Sequence, residues 1–496
     1  MNPVFATRTN RTAAALLTAV MLWGVVNLTP WWPLAWLAPI PLLLAAFHGS
    51  GGEARTLSLL AALIGLSSNF RYYQTTTGGW PIAVLLIALQ ALAWMGVVMF
   101  TRRIVRSAPV WYSVFAYPLL WAGLDTLINA LSPHSSFGSL AYSQGDATRV
   151  IQIAALTGTP GIVFVVSLYA SLTAVAIYRG RDIRLPVLAY GLPAVVILAA
   201  LAFGNWRLLQ RQETRRVAVG LAAVDDSIGP RVAAAQVNAV WASYESAISE
   251  LAAHGARIVL LPEKIEVLNR VPAEQRLELL GAAARSTGVY LAAGTGLREE
   301  HSTLNRFWLF APSGELLTTY DKQHLVPGLE ADMTPGKEFV TQEIAGVRYG
   351  LAICKDMHFP TLGRAYGRAR VDAMLIPAWD FERDAWMAAR MTALRGIESG
   401  YAVIRSSREG LLTVSDRFGR FAAERRSAPV PGAWLLTSAP LEHVEETLYA
   451  EWGDVFGWTC LALAVLMRLP VTGLMLAVRP LPRANGAEPA SASLQD

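Results

Sequence analysis

Gly350-Leu351-Ala352-Ile353-Cys354-Lys355-Asp356-Met357-His358-Phe359-Pro360 is the stretch from which the rest of the chain is read. An apolar run of β type, Val347 to Ile353, delivers a lone cysteine to a sharp break, and polar residues and a Phe-Pro pair follow. A strand that ends this way presents a nucleophile at its tip. A thiol reacts as its thiolate, so such a cysteine needs a base beside it and a group to hold the oxyanion it creates. Taken alone, a buried cysteine is more often an inert small hydrophobe.

Upstream, two more apolar runs end on charges. Ile258-Val259-Leu260-Leu261-Pro262-Glu263 is a short buried-strand pattern that closes on a carboxylate. Tyr320-Asp321-Lys322-Gln323-His324-Leu325-Val326-Pro327 puts a lysine just past the strand Leu316 to Thr319. Each is weak alone, since a lysine in a turn is ordinarily a solvated charge. In one order, Glu263, Lys322 and Cys354 resemble the Glu-Lys-Cys triad of the nitrilase superfamily, and Glu330 stands where that superfamily has a fourth, supporting carboxylate. The resemblance implies Glu263 as base and Cys354 as nucleophile. Lys322 would favour the thiolate and hold the oxyanion, while Glu330 orients Lys322 or shuttles a proton.

The chain has 496 residues, 53% of them hydrophobic and only 16% charged, with 16 tryptophans and a mean hydropathy of +0.36. That is too apolar for an ordinary soluble protein and predicts a membrane protein. Apolar segments cover residues 13–28, 31–47, 56–69, 80–100, 109–130, 158–178 and 185–204, with another near 453–467, and at about 20 residues per crossing they predict about eight transmembrane helices. Arg8 and Arg11 precede the first, but six more segments follow before residue 205 and no small-residue cleavage site stands out, so an uncleaved helix is expected rather than a signal peptide. A cytoplasmic N-terminus gathers Arg8, Arg11, Arg55, Arg102, Arg103, Arg106, Arg179, Arg181, Arg184, Arg468 and Arg479 on one side. The run Arg207, Arg211, Arg215 and Arg216 falls on the other side, as a linker against phospholipid headgroups or a solvated helix end.

The formal net charge is +5, yet no basic-aromatic stripe marks a nucleic-acid surface. Two cysteines, Cys354 in the polar part and Cys460 in an apolar segment, argue against a disulfide or a cysteine-ligated metal. His324 and His358 lack a third ligand at metal spacing, so no metal is expected, and the resemblance to nitrilases implies no other cofactor.

From about 216 to 450 short β-type runs alternate with amphipathic helices. Strands are predicted at 217–224, 257–261, 289–293, 307–311, 349–353, 373–377, 402–405 and 411–414, and helices at 232–253, 273–287 and 384–398. The fold class is a multi-pass helical membrane domain plus an α/β sandwich of two sheets flanked by helices, the αββα arrangement of nitrilases. The expected domains are a seven-helix transmembrane domain over 1–212, a catalytic domain over 213–450, an eighth helix over 451–479 and a disordered cytoplasmic tail over 480–496.

Between the fifth and sixth segments, Phe137-Gly138-Ser139-Leu140-Ala141-Tyr142-Ser143-Gln144 is most simply a connector. It also resembles the Tyr-Ser-Gln stretch of the apolipoprotein N-acyltransferase family, the membrane branch of the nitrilases. That resemblance spans nearly the whole chain. It implies a monomeric enzyme of the bacterial inner membrane, its termini cytoplasmic and its catalytic domain on the periplasmic face. Such an enzyme forms an acyl-thioester on Cys354 from a phospholipid and passes the chain to the α-amino group of a diacylglyceryl-cysteine apolipoprotein. Three stretches depart from the family pattern. Lys355-Asp356 replaces an aromatic and a glutamate, Gly328-Leu329-Glu330 replaces Phe-Gly-Glu, and Gly220 to Asp226 lacks a Gln-x-Asn signal. Substrate-binding candidates are Lys355, Asp356, Trp379 and Trp386, although Trp379 and Trp386 read more simply as helix-sheet packing.

Met387, Met391 and Leu394 follow core spacing, Arg395 and Glu398 form a structural pair, and Trp452 and Trp458 suit an interfacial belt. A membrane-tethered amidohydrolase is the rival enzyme reading, separated from the first by whether water or an amine discharges the cysteine. A lipid-binding protein without turnover is the third.

Overall fold

In the computed structural model the described residues are 3–107, 109–210, 214–226, 228, 232–442 and 446–468. The predictions for Arg211, for Arg479, for the end of the eighth helix and for the tail 480–496 lie outside them. Helices occupy each of the eight apolar stretches. Four of them, Trp80–Ser107, Trp111–Leu131, Thr159–Arg179 and Val187–Leu209, are long and apolar enough to cross a membrane. The others differ for visible reasons. Arg8–Val25 is polar through its first turn, Gly51–Leu66 has only 16 residues, and Val455–Leu466 has 12. The second stretch is cut into Trp32–Leu37 and Pro39–His48, because Pro39 begins a new helix.

Thr159–Arg179 is apolar on every side, and its first two-thirds is buried almost continuously, as such a helix must be. It packs against Pro39–His48 and Ala116–Leu131. Val455–Leu466 lies on Ala116–Leu131 at a point where a Cβ on Gly123 would stand 2.6 Å from Leu461 Cα. A small residue there lets two backbones approach, which is how helices associate where burial from water contributes little.

After Leu209 the pattern changes to strands. A seven-stranded sheet runs β13 (Ala433–Glu442), β1 (Thr214–Ala223), β2 (Ile258–Leu260), β4 (Tyr290–Arg298), β5 (Thr303–Phe310), β6 (Leu316–Asp321), with β3 (Val267–Asn269) also on β4. A six-stranded sheet runs β12 (Phe421–Arg426), β11 (Leu411–Ser415), β10 (Ala402–Arg408), β9 (Ala373–Trp379), β8 (Val347–Leu351), β7 (Thr341–Ile344). The period-2 alternation of side chains assigns each strand two faces. Val219, Leu221, Phe307, Leu309, Leu351, Leu375 and Ile404 meet between the sheets. Val259, Leu291, Trp308 and Phe310 face outward under the helices Ala234–Ala253 and Arg270–Thr287. Met374, Ile376 and Val403 do the same under Pro360–Arg368 and the turn before it. Four layers result, αββα, and β3, β7, β12 and β13 are strands that the sequence reading did not place.

The helical region and the sandwich are joined through buried polar contacts. Helix Ala385–Ser399 turns Met387, Met391, Leu394 and Ile397 toward the core of the bundle rather than a sheet. Arg395 and Glu398 pair at its end, with Arg395 donating to Tyr142 Oη at 2.7 Å and Glu398 Oε1 accepting the Thr159 amide at 3.1 Å. The Tyr-Ser-Gln loop is therefore a joint and not a plain connector. Ser136 Oγ donates to the His358 carbonyl at 2.6 Å, and Gln144 accepts the Trp36 indole N–H at 2.9 Å. Arg207 corrects the reading of its run as headgroup-facing or solvated. It is 7% exposed, donates to the Gln152 carbonyl at 3.3 Å and lies over the Phe418 ring, because its helix, Leu192–Leu209, packs against Thr148–Ile151 just before that carbonyl.

Candidate active site

The three candidates of the triad stand beyond the C-terminal ends of strands. Glu263 follows β2, Lys322 follows β6, and Cys354 opens a tight turn, Cys354–His358, three residues after the end of β8. Cys354 has φ +44°, and Lys264 beside Glu263 also has φ +44°. Left-handed backbone at a residue with a Cβ costs about 1–3 kcal/mol, and two such positions at one site show that the surroundings over-determine the geometry. Asp356 is what holds the turn. It accepts from the Ile353 amide (3.0 Å), the Tyr320 hydroxyl (2.7 Å), the Gln323 and His324 amides (3.1 and 2.8 Å) and His324 Nδ1 (3.0 Å). One carboxylate thereby ties the cysteine turn to the lysine loop.

The charges form a closed cluster. Lys322 Nζ lies 2.8 Å from Glu263 Oε1 and 2.9 Å from Glu330 Oε2, and all three side chains are about 1–2% exposed. Asn305, from β5, donates one amide nitrogen to both carboxylates, at 2.6 and 2.9 Å. Lys264 Nζ meets Glu330 Oε1 at 2.7 Å, and the Val326 amide donates to Glu330 Oε2 at 2.8 Å. Burial opposes the charge on Glu330, but Lys322 and Lys264 outweigh it and hold the carboxyl at about 2. Burial likewise works against the Lys322 ammonium, and Glu263, Cys354 and Glu330 reverse that, so Lys322 stays charged.

The Cys354 thiol is pushed up, first by burial and then by the Glu263 charge, against the pull of Lys322. It rests as a thiol, donating weakly to the Trp379 carbonyl at 3.6 Å. Such a site generates a thiolate only when a base takes the proton as the electrophile arrives, and Glu263 Oε2 is buried there with no hydrogen-bond partner.

Glu263, Lys322, Glu330, Cys354, Lys355 and Trp379 all line one cavity of about 790 Å³. Its far wall comes from the helical region, with Val25, Leu86, Leu89, Trp94, Trp121, Leu124 and Ile128. The volume lies within the range of small-molecule pockets, roughly 300–1,000 Å³. Asp356 does not reach the cavity, being enclosed by its five donors, and Trp386 is turned to the bundle with Arg390 over its ring at 5.1 Å. Trp379 is held by its indole N–H on Glu409 at 3.0 Å, between Lys264 and Arg408.

Sequence reasoning missed Asn305, Lys264 and the buried pair of Arg405 with Asp380, joined at 3.0 Å on the cavity wall. Asn305 had a signal, a lone amide within the apolar run Thr303–Phe310. Among the described residues no three His, Cys, Asp or Glu side chains gather as a metal site.

Two family models match the chain in succession. The apolipoprotein N-acyltransferase N-terminal domain matches residues 10–172, and the carbon-nitrogen hydrolase model matches 216–423. An apolipoprotein N-acyltransferase of Geobacter metallireducens is 27% identical over 482 residues, covering 88% of this chain and 90% of the relative. One from Gloeobacter violaceus is 26% identical and covers 88% and 89%. The omega-amidase NIT2 of Homo sapiens is 32% identical over 152 residues, which is 27% of this chain and 55% of that protein. An amidase thus matches only part of the sandwich, whereas the acyltransferases match the helices, the sandwich and their order, so over 88% of its length the chain is similar to apolipoprotein N-acyltransferases.

Proposed function

We propose that this protein is a phospholipid-dependent N-acyltransferase of lipoprotein maturation, working through an acyl-thioester on Cys354. The observation that carries the reading is the single cavity, with the Glu-Lys-Cys cluster at one end and an apolar wall of membrane helices at the other. A hydrolase of small soluble amides has no use for that wall. A lipid acyl chain does, since each buried methylene contributes about 0.8 kcal/mol.

The chemistry follows from the donors and acceptors in place. Glu263 takes the Cys354 proton as the thiolate attacks the ester carbonyl of the phospholipid. Lys322 has two of its three N–H directions on Glu263 and Glu330 and keeps the third for the oxyanion, beside a backbone N–H of the 354–358 turn. Collapse breaks the ester C–O bond, and Glu263 returns the proton to the departing lysophospholipid oxygen. The α-amino group of a diacylglyceryl-cysteine then attacks the thioester and loses a proton to Glu263; collapse breaks the C–S bond, the product leaves as the amide, and Glu263 returns the proton to the Cys354 sulfur. Glu330 holds Lys322 in place, and Asn305 fixes both carboxylates.

In this reading residues 1–212 form the transmembrane domain with seven crossings, 213–450 the catalytic domain, and 451–479 the eighth crossing. The arginine distribution supports cytoplasmic termini and a catalytic domain on the periplasmic face of a bacterial inner membrane. One chain supplies every group of the cluster, which supports a monomer.

The test is to incubate the purified protein with phosphatidylethanolamine and a diacylglyceryl-cysteine peptide. The expected product is the peptide heavier by one acyl chain on its amine. Release of free fatty acid at the same rate with or without the peptide would instead make the protein a lipid hydrolase.

A further inference from the structure

On the wall of the cavity around Cys354 the cations pair off, except one. Lys322 meets Glu263 and Glu330, Lys264 meets Glu330, and Arg405 meets Asp380. Lys355 lines the same cavity, is 2% exposed, and donates to the Leu325 carbonyl at 2.8 Å. Among the described residues no carboxylate lies within ion-pair distance of it. Its neighbour Asp356 is occupied by five other donors. An ammonium has three donors, and Lys355 has one neutral acceptor and the face of the Phe359 ring, 5.9 Å from Nζ, so its buried charge is left for an anion to complete. Burial and then Lys322 lower Lys355 to about 8, so it is charged at neutral pH.

Two imidazoles stand on the same stretch of wall. His134 comes from the segment after helix Ala116–Leu131, and His358 ends the turn that Cys354 begins. His358 Nδ1 is buried without a hydrogen-bond partner, and its ring is held on Phe137 with centroids 5.5 Å apart. Burial and then the Lys355 charge keep both rings neutral, His134 falling to about 4. A neutral imidazole still offers one N–H to an anion.

We infer that Lys355, His134 and His358 form the subsite for the phosphodiester of the acyl donor, an inference that rests on the acyl-transfer reading above. Lys355 adjoins the nucleophile in sequence. In a glycerophospholipid the attacked ester and the phosphate hang from one glycerol, so the anion must lie beside Cys354. The site also answers a question of selectivity. Donor and acceptor both present fatty esters on a glyceryl group, and the phosphate is the feature that only the donor carries. A cation beside Cys354 directs thiolate attack to the phospholipid and spares the esters of the lipoprotein.

The experiment uses the full-length protein in detergent micelles and follows the acyl increment on Cys354 by intact mass. Phosphatidylethanolamine is compared with diacylglycerol of the same chains, the latter lacking only the phosphate headgroup. The wild type is expected to half-saturate with phosphatidylethanolamine at a concentration at least tenfold lower. Lys355→Met is expected to remove most of that preference, acting on the half-saturating concentration more than on the maximal rate, and Lys355→Arg to restore it. His134→Phe and His358→Phe should each erode it, and they carry the test if Lys355→Met does not fold. A folded Lys355→Met protein with the preference intact would overturn the inference. So would inorganic phosphate blocking loading from both donors alike, which would make this a free-anion site. Failure of the wild type to load from either donor sinks the acyl-transfer reading instead.

Discussion

Replacing Lys322 by methionine keeps the volume of the side chain and removes its charge from the centre of the cluster. In the wild type Nζ sits 2.8 Å from Glu263 and 2.9 Å from Glu330, with the lysine 1% exposed. Both carboxylates also share the Asn305 amide nitrogen, so their oxygens face each other across a small space. Without the lysine two buried anions cannot both persist, and one takes a proton. Glu330 keeps Lys264 at 2.7 Å, so the proton falls on Glu263, which then no longer serves as base. Loss of an oxyanion donor alone costs on the order of 10²–10³ in rate. Loss of general base catalysis costs on the order of 10²–10⁴, and the two are not additive because they act on one step. A fall of about 10³ or more in single-turnover acylation of Cys354 is expected, roughly 4 kcal/mol of barrier. Breaking a buried ion pair also destabilises by about 3–5 kcal/mol, so thermal unfolding must first establish that the variant is folded. A folded Lys322→Met protein that acylates within tenfold of the wild type would refute the assignment of Lys322.

Three further outcomes follow from the same geometry. Asn305→Ala leaves Glu263 and Glu330 without their shared donor, and the acylation rate should drop about ten- to a hundredfold, from a loss of about 1.5–3 kcal/mol for a hydrogen bond to a charged group; an unchanged rate in a stopped assay would remove Asn305 from the mechanism. Glu330 ionises near 4.5 when unfolded and near 2 when folded, so its contribution of about 3 kcal/mol is complete above pH 4.5 and is lost as pH falls toward 2. Chemical unfolding between pH 7 and 3 should show that loss in the wild type and less of it in Glu330→Gln; parallel curves would contradict the pairing. Leu124→Trp puts bulk on the apolar wall of the cavity, and the variant should load short acyl chains at near wild-type rates and long chains at least tenfold more slowly, as read by intact mass across a chain-length series.

The parts of this account that were legible in sequence share a property: each is written locally. Glu263 and Cys354 follow apolar runs that fold as buried strands, Lys322 follows the edge strand β6, and strand ends are where a sandwich of this kind exposes side chains. The helical stretches are equally local, being runs of apolar residues. What the sequence hid depends on partners far along the chain. β13 is made a strand by pairing with β1 more than 200 residues earlier, from Thr214 opposite Glu442 to Ala223 opposite Ala433. β12 is charged and mostly exposed, and only β11 beside it makes it extended. Asp356 follows the nucleophile by two residues and therefore looks like pocket lining. The left-handed start of the turn at Cys354 sends it back into the lysine loop instead. Trp386 and Arg207 misled for a related reason, since their helices pack against the bundle on faces that sequence alone cannot orient. The apolar cavity wall is the largest omission, assembled from residues as distant as Val25 and Ile128, and it separates a lipid enzyme from an amidase.

The central claim is that Cys354 carries an acyl chain drawn from a phospholipid. The most direct measurement is the intact mass of the denatured protein after incubation with phosphatidylethanolamine, beside a Cys354→Ala control. One acyl-sized increment on the wild type, absent from the control and removed by neutral hydroxylamine, is the expected result. An unchanged mass for folded wild-type protein, or an equal increment on Cys354→Ala, would contradict the account.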